Sequence, residues 1–274
     1  MSKFPPPDPP VKTSPLGPYV KAARTSDDPS YVADPFGSGV TAATTPILNS
    51  KSLNRILIFP GFFNPPHVGH YELLRFTMLR FARPLGIIGA IIIPMSEKWL
   101  KDRLSNEVRP VVLSTSARRA QWNGHKCDSN TKTPESWYYV YESAADDVEL
   151  DWETFQSNLK QLTAADGFTI NFISLFGVES LKINENPAPR WGCNEVVYAD
   201  FGQDSILRPQ GANGPLIQLP GSSEWRTFEF IQPYAQRRAQ IHARQVLETV
   251  FKIPTTAPAR MVEPCKFFHP PLQY

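Results

Sequence analysis

The stretch from Arg55 to Pro94 limits the fold of this chain more narrowly than any other part of the sequence. It opens with the apolar run Ile56–Phe59 and continues with Pro60-Gly61, a pattern typical of a buried strand that ends in a tight turn. Apolar residues then recur at helical spacing over 71–83, and 87–93 is apolar again. Strand, turn, helix and strand in this order form a βαβ unit. The unit predicts an α/β domain with a doubly wound parallel sheet.

The rest of the chain continues the alternation of strands and helices that such a domain requires. Apolar residues at helical spacing predict further helices over 115–122, 152–162 and 233–251. Apolar runs bounded by small or polar residues predict further strands over 137–141, 168–176, 195–198 and 216–219.

Proline is over-represented, and much of the excess lies at the start of the chain. The chain has 28 prolines in 274 residues, roughly twice the average usage, and ten of them fall in the first 50 residues. Such a segment has little apolar surface to offset the entropy of ordering. We therefore predict a disordered proline-rich arm over 1–52 and an α/β domain over 53–274. An alternative use of the arm is as a polyproline ligand or a flap over a site.

Charge and cysteine content exclude several classes of protein. With 28 Lys and Arg against 26 Asp and Glu, the net charge of +2 disfavours nucleic acid as the main partner. The three cysteines, Cys127, Cys193 and Cys265, lack metal-binding spacing, so neither structural zinc nor a disulfide scaffold is expected. No apolar run is long enough to span a membrane, and the N-terminus lacks a secretory pattern. We expect no membrane partner and a cytoplasmic or nuclear location, and the oligomeric state is left open.

The segment that carries chemistry is FPGFFNPPHVGH, residues 59–70, between the first predicted strand and the first predicted helix. Its two histidines, His67 and His70, would lie near the free N–H groups of the helix N-terminus, which attract anionic oxygen. Gly61 and Gly69 let a phosphate approach the backbone closely. The histidines are candidates for stabilising charge on a transferring phosphoryl group.

This segment resembles the GxFxPxHxGH signature of the nucleotidyltransferase superfamily, and its wording is closest to the nicotinamide or nicotinate mononucleotide adenylyltransferases. The resemblance implies a Rossmann-like nucleotidyltransferase fold in which His67 and His70 contact the triphosphate and the transition state. It also implies nucleotide contacts at the turn, from Gly61, Phe62, Phe63, Asn64 and Gly69. Phe62 departs from the family pattern, which usually has Ser or Thr there and so provides a hydroxyl.

Two further segments are similar to parts of that family. After the second strand, Lys98 and Lys101 lie in a predicted loop where the family has a lysine that meets the acceptor's phosphate; solvated surface lysines are the alternative. After the strand at 168–176, Gly177 and Glu179 are similar to the family's GxD, which approaches the ribose or base. Glu179 is also explained as an acid that favours a helix N-terminus.

The second family signature, ISSTxxR, has only a partial counterpart. Ser222, Ser223 and Arg226 keep the two serines and the arginine, with one residue fewer between them and no threonine. By resemblance Arg226 acts on the β- and γ-phosphates, as a guanidinium can. A surface arginine is the alternative.

These features predict a nucleotidyltransferase of NAD biosynthesis. It would transfer AMP from ATP to a phosphorylated small-molecule acceptor, nicotinamide mononucleotide being the best match, and release pyrophosphate with Mg²⁺ neutralising the phosphates. The alternatives are a noncatalytic nucleotide-binding relative that lost the second signature, and a transferase for another acceptor of the cytidylyl or pantetheine-phosphate type.

Overall fold

The computed structural model of the chain describes residues 10–24, 35–36, 45–105, 111–125, 137–142, 148–177 and 191–199. In chain order the elements are β1 (Thr13–Pro15), α1 (Gly17–Ala23), β2 (Ile47–Asn49), β3 (Asn54–Gly61), α2 (Val68–Leu85), β4 (Ile87–Pro94), α3 (Glu97–Arg103), α4 (Thr115–His125), β5 (Tyr138–Val140), α5 (Val148–Ala165), β6 (Ile170–Gly177) and β7 (Glu195–Ala199).

Five parallel strands form the central sheet in the order β5-β4-β3-β6-β7. The chain begins this sheet at β3, moves outward through β4 to β5, and then returns to the other side of β3 with β6 and β7. This order is that of a doubly wound, Rossmann-like sheet, and the predicted α/β architecture with a parallel sheet is confirmed. The point where the winding reverses lies between β3 and β6.

Both faces of the sheet are covered, which explains why its strands read as continuous apolar runs. Along β3, Ile56 and Ile58 point into a core shared with α1 and α5. The alternate residues Leu57 and Phe59 point into a second core shared with α2 and with Trp122 of α4.

The N-terminal segment, which we define as residues 10–24 and 45–49, corrects one prediction. Strands β1 and β2 pair as an antiparallel hairpin, and Leu16, Val20 and Ala23 are fully buried in the core that contains α5. These three positions are spaced as one face of a helix, and burial of a Leu or Val side chain stabilises by roughly 1.5–3 kcal/mol. The prediction of a disordered arm is therefore wrong for residues 10–24 and 45–52.

Proline content predicts disorder here, but Pro18 lies in the first turn of α1. At that position the missing N–H has no intrahelical partner to lose, so proline is compatible with the helix.

The other predicted elements agree with the structure except in one place. The helices at 115–122 and 152–162 and the strands at 137–141, 168–176 and 195–198 are confirmed as α4, α5, β5, β6 and β7. The predicted lysine loop after β4 is wrong: Lys98 and Lys101 lie in α3, because the Ser96 hydroxyl accepts the Trp99 N–H at 3.3 Å and caps the helix. The strand at 216–219 and the helix at 233–251 lie outside the described residues. No helix in the described ranges has the length and apolar character needed to cross a membrane.

Candidate functional site

The candidate site lies where β3 hands over to α2, at the reversal of the sheet winding. We call residues 62–70 the histidine turn; they run from the end of β3 into the first residues of α2. The neighbouring strand β6 ends at Gly177 on the same edge, because the two strands are parallel. Open α/β sheets bind ligands at this edge and at this reversal point.

The two histidines cap α2 reciprocally. The His67 Nδ1 accepts the Gly69 N–H at 3.1 Å, and the His70 Nδ1 accepts the His67 N–H at 3.3 Å. An accepting Nδ1 places the proton of a neutral imidazole on Nε2. Each ring therefore keeps an Nε2–H with which it can donate to a ligand oxygen.

The imidazoles of His67 and His70 are stacked, with ring centroids 3.7 Å apart and planes inclined by 32°. His67 is exposed, whereas His70 is half-buried. Burial of the His70 imidazole and the proximity of His67 lower the pKa of His70 to about 4. At neutral pH His70 is therefore uncharged, and it acts as a hydrogen-bond donor rather than as a cation.

Gly61 is required at the end of β3 by the ring of Phe63. Phe63 has a left-handed backbone, with φ 45°, and a Cβ atom at Gly61 would lie 2.6 Å from the Phe63 Cζ. The Phe63 ring is 3% exposed and packs 5.1 Å, centroid to centroid, from both His70 and Trp122. It supports His70 from the core side, so its ring is not open to a nucleotide.

Gly69 lies close to the ring of His67. A Cβ atom at Gly69 would lie 3.1 Å from the His67 Nδ1 and Cε1, a distance at which the imidazole must move. Glycine in the HxGH sequence is thus favoured for a steric reason, in addition to the hydrogen bond that its N–H donates to His67.

Asn64 ties the histidine turn to the segment that precedes α4. Its Nδ2 donates to the Val111 carbonyl at 2.7 Å, and its Oδ1 accepts the Leu113 N–H at 2.9 Å. Through these contacts Asn64 fixes the turn. They occupy both ends of the amide with protein backbone.

Arg118, on α4, is a residue of the site that sequence reasoning missed. It is fully buried and donates to the Phe62 carbonyl at 2.6 Å. A signal was present in the sequence, since Arg118 and Trp122 are four residues apart and lie on one face of the predicted helix. An arginine on the face that carries a tryptophan is a candidate for burial.

The remaining predicted residues are placed as follows. Lys98 and Lys101 are exposed on α3, and the Lys101 Nζ lies 3.9 Å from the Glu97 carboxylate. Phe62 is half-buried, with the Arg103 guanidinium 4.9 Å from its ring centroid. Four predicted residues lie outside the described part of the chain: Glu179, Ser222, Ser223 and Arg226.

The structure thus places the first signature and Gly177, at the end of β6, on the same edge of the sheet. Among the residues it describes, no group of three or more His, Cys, Asp or Glu side chains could hold a metal ion.

No protein-family model matches the chain, and no curated protein matches it. The histidine turn and the motif that forms it are therefore the features of the chain that point to a function.

Proposed function

We propose that this protein is a nucleotidyltransferase that transfers AMP from ATP to a phosphorylated acceptor, with nicotinamide mononucleotide as the best match, and releases pyrophosphate. The observation that carries the proposal is the stacked pair His67 and His70 at the N-terminus of α2, at the reversal of a parallel sheet. Both rings have Nδ1 engaged and present Nε2–H donors where anionic oxygens are favoured.

The reaction needs positioning and charge stabilisation more than covalent chemistry. A phosphate oxygen of the acceptor attacks the α-phosphorus of ATP, a new P–O bond forms, and the bond to the β-phosphate oxygen breaks so that pyrophosphate leaves. The histidine N–H groups and the N-terminus of α2 stabilise the negative charge that develops on the α-phosphoryl oxygens. The acceptor phosphate is already ionised at neutral pH, so no general base is required. A neutral His70 suits this role of donor.

In this proposal Mg²⁺ enters with ATP, as a metal bound to the substrate. Mg²⁺ prefers oxygen ligands and is commonly held through substrate phosphates rather than by a complete protein cage. It would supply neutralisation of the triphosphate charge. The proposal also includes phosphate contacts from Lys98 and Lys101, nucleotide contacts from Glu179, Ser222 and Ser223, and a triphosphate contact from Arg226, in a protein of NAD biosynthesis in the cytoplasm or nucleus.

A second candidate is a nucleotide-binding protein without transferase activity. Phe62 favours it, because a half-buried phenyl ring covered by Arg103 replaces the hydroxyl usual at that position. A transferase for a cytidylyl or pantetheine-phosphate acceptor is the third possibility, and it differs from the first only in the substrate.

The experiment incubates the full chain with ATP, Mg²⁺ and a panel of phosphorylated acceptors and measures pyrophosphate. We expect release with nicotinamide mononucleotide and a loss of about 10²–10³-fold in kcat for His70→Ala, the size typical of removing one transition-state donor. His125→Gln, on α4 and outside the histidine turn, should retain wild-type activity. ATP binding, measured by calorimetry, without pyrophosphate release for any acceptor would contradict the transferase and support the binding protein.

A further inference from the structure

We propose that Arg118 is a positioning residue that holds the histidine turn in the geometry from which His67 and His70 meet a ligand. The inference rests on the proposed function and adds to it the interaction that sets the geometry of the turn.

The guanidinium of Arg118 joins two segments of the chain. Its Nη1 donates to the Phe62 carbonyl at 2.6 Å, its Nε to the Leu113 carbonyl at 3.2 Å, and its Nη2 to the Thr115 hydroxyl at 3.0 Å. The donors of a guanidinium are fixed relative to one another in one plane. Leu113 and Thr115 therefore fix the direction of the N–H that holds Phe62.

Arg118 keeps its charge in a fully buried position. Burial lowers the pKa of Arg118, the carboxylate of Glu97 acts in the opposite direction, and a guanidinium stays protonated in proteins. The hydrogen bond to the Phe62 carbonyl is therefore charge-assisted, which makes it short and strong. Without Arg118 this carbonyl would lose that partner.

The position of Phe62 is transmitted to the histidines through the next residue. Phe63 follows with its left-handed backbone, and its ring fills the space over Gly61 and contacts the ring of His70. Asn64 provides the second attachment to the same segment, through Val111 and Leu113. The turn is thus held at Phe62 and at Asn64 by α4 and the segment that precedes it. When the hydrogen bond to Phe62 is lost, the Phe63 ring that supports His70 should move.

Lysine cannot replace Arg118 in this arrangement. An ammonium group is a point donor and cannot reach three acceptors that a planar fork reaches together. Arg118→Lys keeps the positive charge but loses the fixed directions of the three hydrogen bonds. It therefore separates the effect of positioning from the effect of charge. The matched control is Arg119→Lys on the same helix, since Arg119 is half-buried and lies 3.8 Å from the Glu142 carboxylate instead of the turn.

The first test is an NMR titration of the histidine Cε1–H signals in the full chain, with the five histidines assigned by single His→Gln substitutions. We expect His70 to titrate near pH 4 in the wild type. In Arg118→Lys the pKa of His70 should rise by about one unit or more toward the ordinary value, because release of the turn exposes the His70 imidazole and separates it from His67. Arg119→Lys should leave it unchanged. This measurement needs no catalytic activity, so it stays informative if the proposed function fails.

The second test is kinetic. For Arg118→Lys we expect kcat for pyrophosphate release to fall by about 10–100-fold with little change in KM for ATP, since misplacement by about 1 Å has effects of this size. Guanidinium ions added to Arg118→Ala should restore part of the activity. If Arg118→Lys unfolds at room temperature, Thr115→Val removes one of the three acceptors and should raise the His70 pKa in the same direction by less.

Two results would overturn the proposal. One is a lower melting temperature in Arg118→Lys together with a wild-type His70 titration, which would leave Arg118 with a role in stability alone. The other is a wild-type His70 that titrates near 6.5, which would show that its imidazole is not buried beside His67 as described. Absence of pyrophosphate release in the wild type, with the expected titrations, would reject the transferase and retain the positioning role.

Discussion

The N-terminal segment and the histidine turn are both rich in proline, yet they are held in place by different interactions. In the N-terminal segment, apolar side chains such as Leu16 and Leu48 are fully buried in the core of the domain. In the histidine turn, His67 remains exposed and directional hydrogen bonds from Asn64 and Arg118 hold the backbone. Burial is non-directional and supplies stability, whereas hydrogen bonds fix geometry. Substitutions in the N-terminal segment should therefore change mainly the free energy of unfolding, and substitutions in the histidine turn should change mainly activity.

His67→Asn, in the histidine turn, should reduce activity strongly and leave stability almost unchanged. Asparagine is a good N-cap, so α2 keeps an acceptor for its first N–H groups and the unfolding free energy should change by less than about 0.5 kcal/mol. The lost Nε2–H should lower kcat by about 10²–10³-fold. Pyrophosphate kinetics and chemical denaturation of the same sample check both expectations. A large loss of stability beside the loss of activity would contradict the view that the histidine turn serves activity and not stability.

Leu16→Ala is the converse test in the N-terminal segment. Removal of a fully buried leucine should lower the unfolding free energy by about 2–5 kcal/mol, with kcat unchanged for the fraction that stays folded. Val11, which is 52% exposed, provides the control: Val11→Ala should change stability by less than about 0.5 kcal/mol. Urea denaturation measures both variants, and similar values for the two would show that this segment does not pack as described.

Gly61→Ala should lower both stability and activity, because it adds a methyl group at the end of β3, beside the histidine turn. The Cβ atom meets the Phe63 ring at 2.6 Å, and overpacking of this kind costs about 1–3 kcal/mol. Since Phe63 supports His70, activity should fall as well. In a double-mutant cycle with Phe63→Leu, the smaller side chain should recover part of both losses. Strictly additive effects would exclude the contact.

The pH dependence of stability reports on His70. In the unfolded chain a histidine binds its proton near 6.5, whereas folded His70 does so near 4. As pH falls from 6.5 to 4 the unfolded state therefore binds more protons, and the folded state loses stability over this window. His70→Gln should show a shallower loss than the wild type when urea midpoints are measured between pH 7 and pH 4. Parallel curves would mean that the pKa of His70 is not lowered.

Asn158→Ala should have the smallest effect. The Asn158 Nδ2 on α5 donates to the Ala23 carbonyl at the end of α1, at 3.2 Å. Loss of one half-buried hydrogen bond should cost about 1 kcal/mol, with unchanged kcat. Ser157→Ala, at the exposed neighbouring position, is the control and should differ from the wild type by less than about 0.5 kcal/mol. Thermal unfolding of the two variants would detect the difference.

The elements of the sheet could be predicted because their signals are local. A strand covered on both faces is a continuous apolar run, and a helix on one face of a sheet repeats its apolar residues at helical spacing. The N-terminal helix could not be predicted from composition, since prolines and polar residues surround the few apolar positions that carry it. High proline content indicates disorder, yet Pro18 occupies a position in the first turn of α1 where proline fits.

The parallel α/β architecture and the location of His67 and His70 at the junction of a strand and a helix follow from the sequence alone, because both depend on residues close together in the chain. The packing of the N-terminal segment into the core and the hydrogen bond from Arg118 to the turn are seen only in the folded domain. Phe62 and Arg118 are 56 residues apart, and Ala23 and Asn158 are 135 apart. Contacts over such separations depend on how the elements pack, and local apolar periodicity does not encode them.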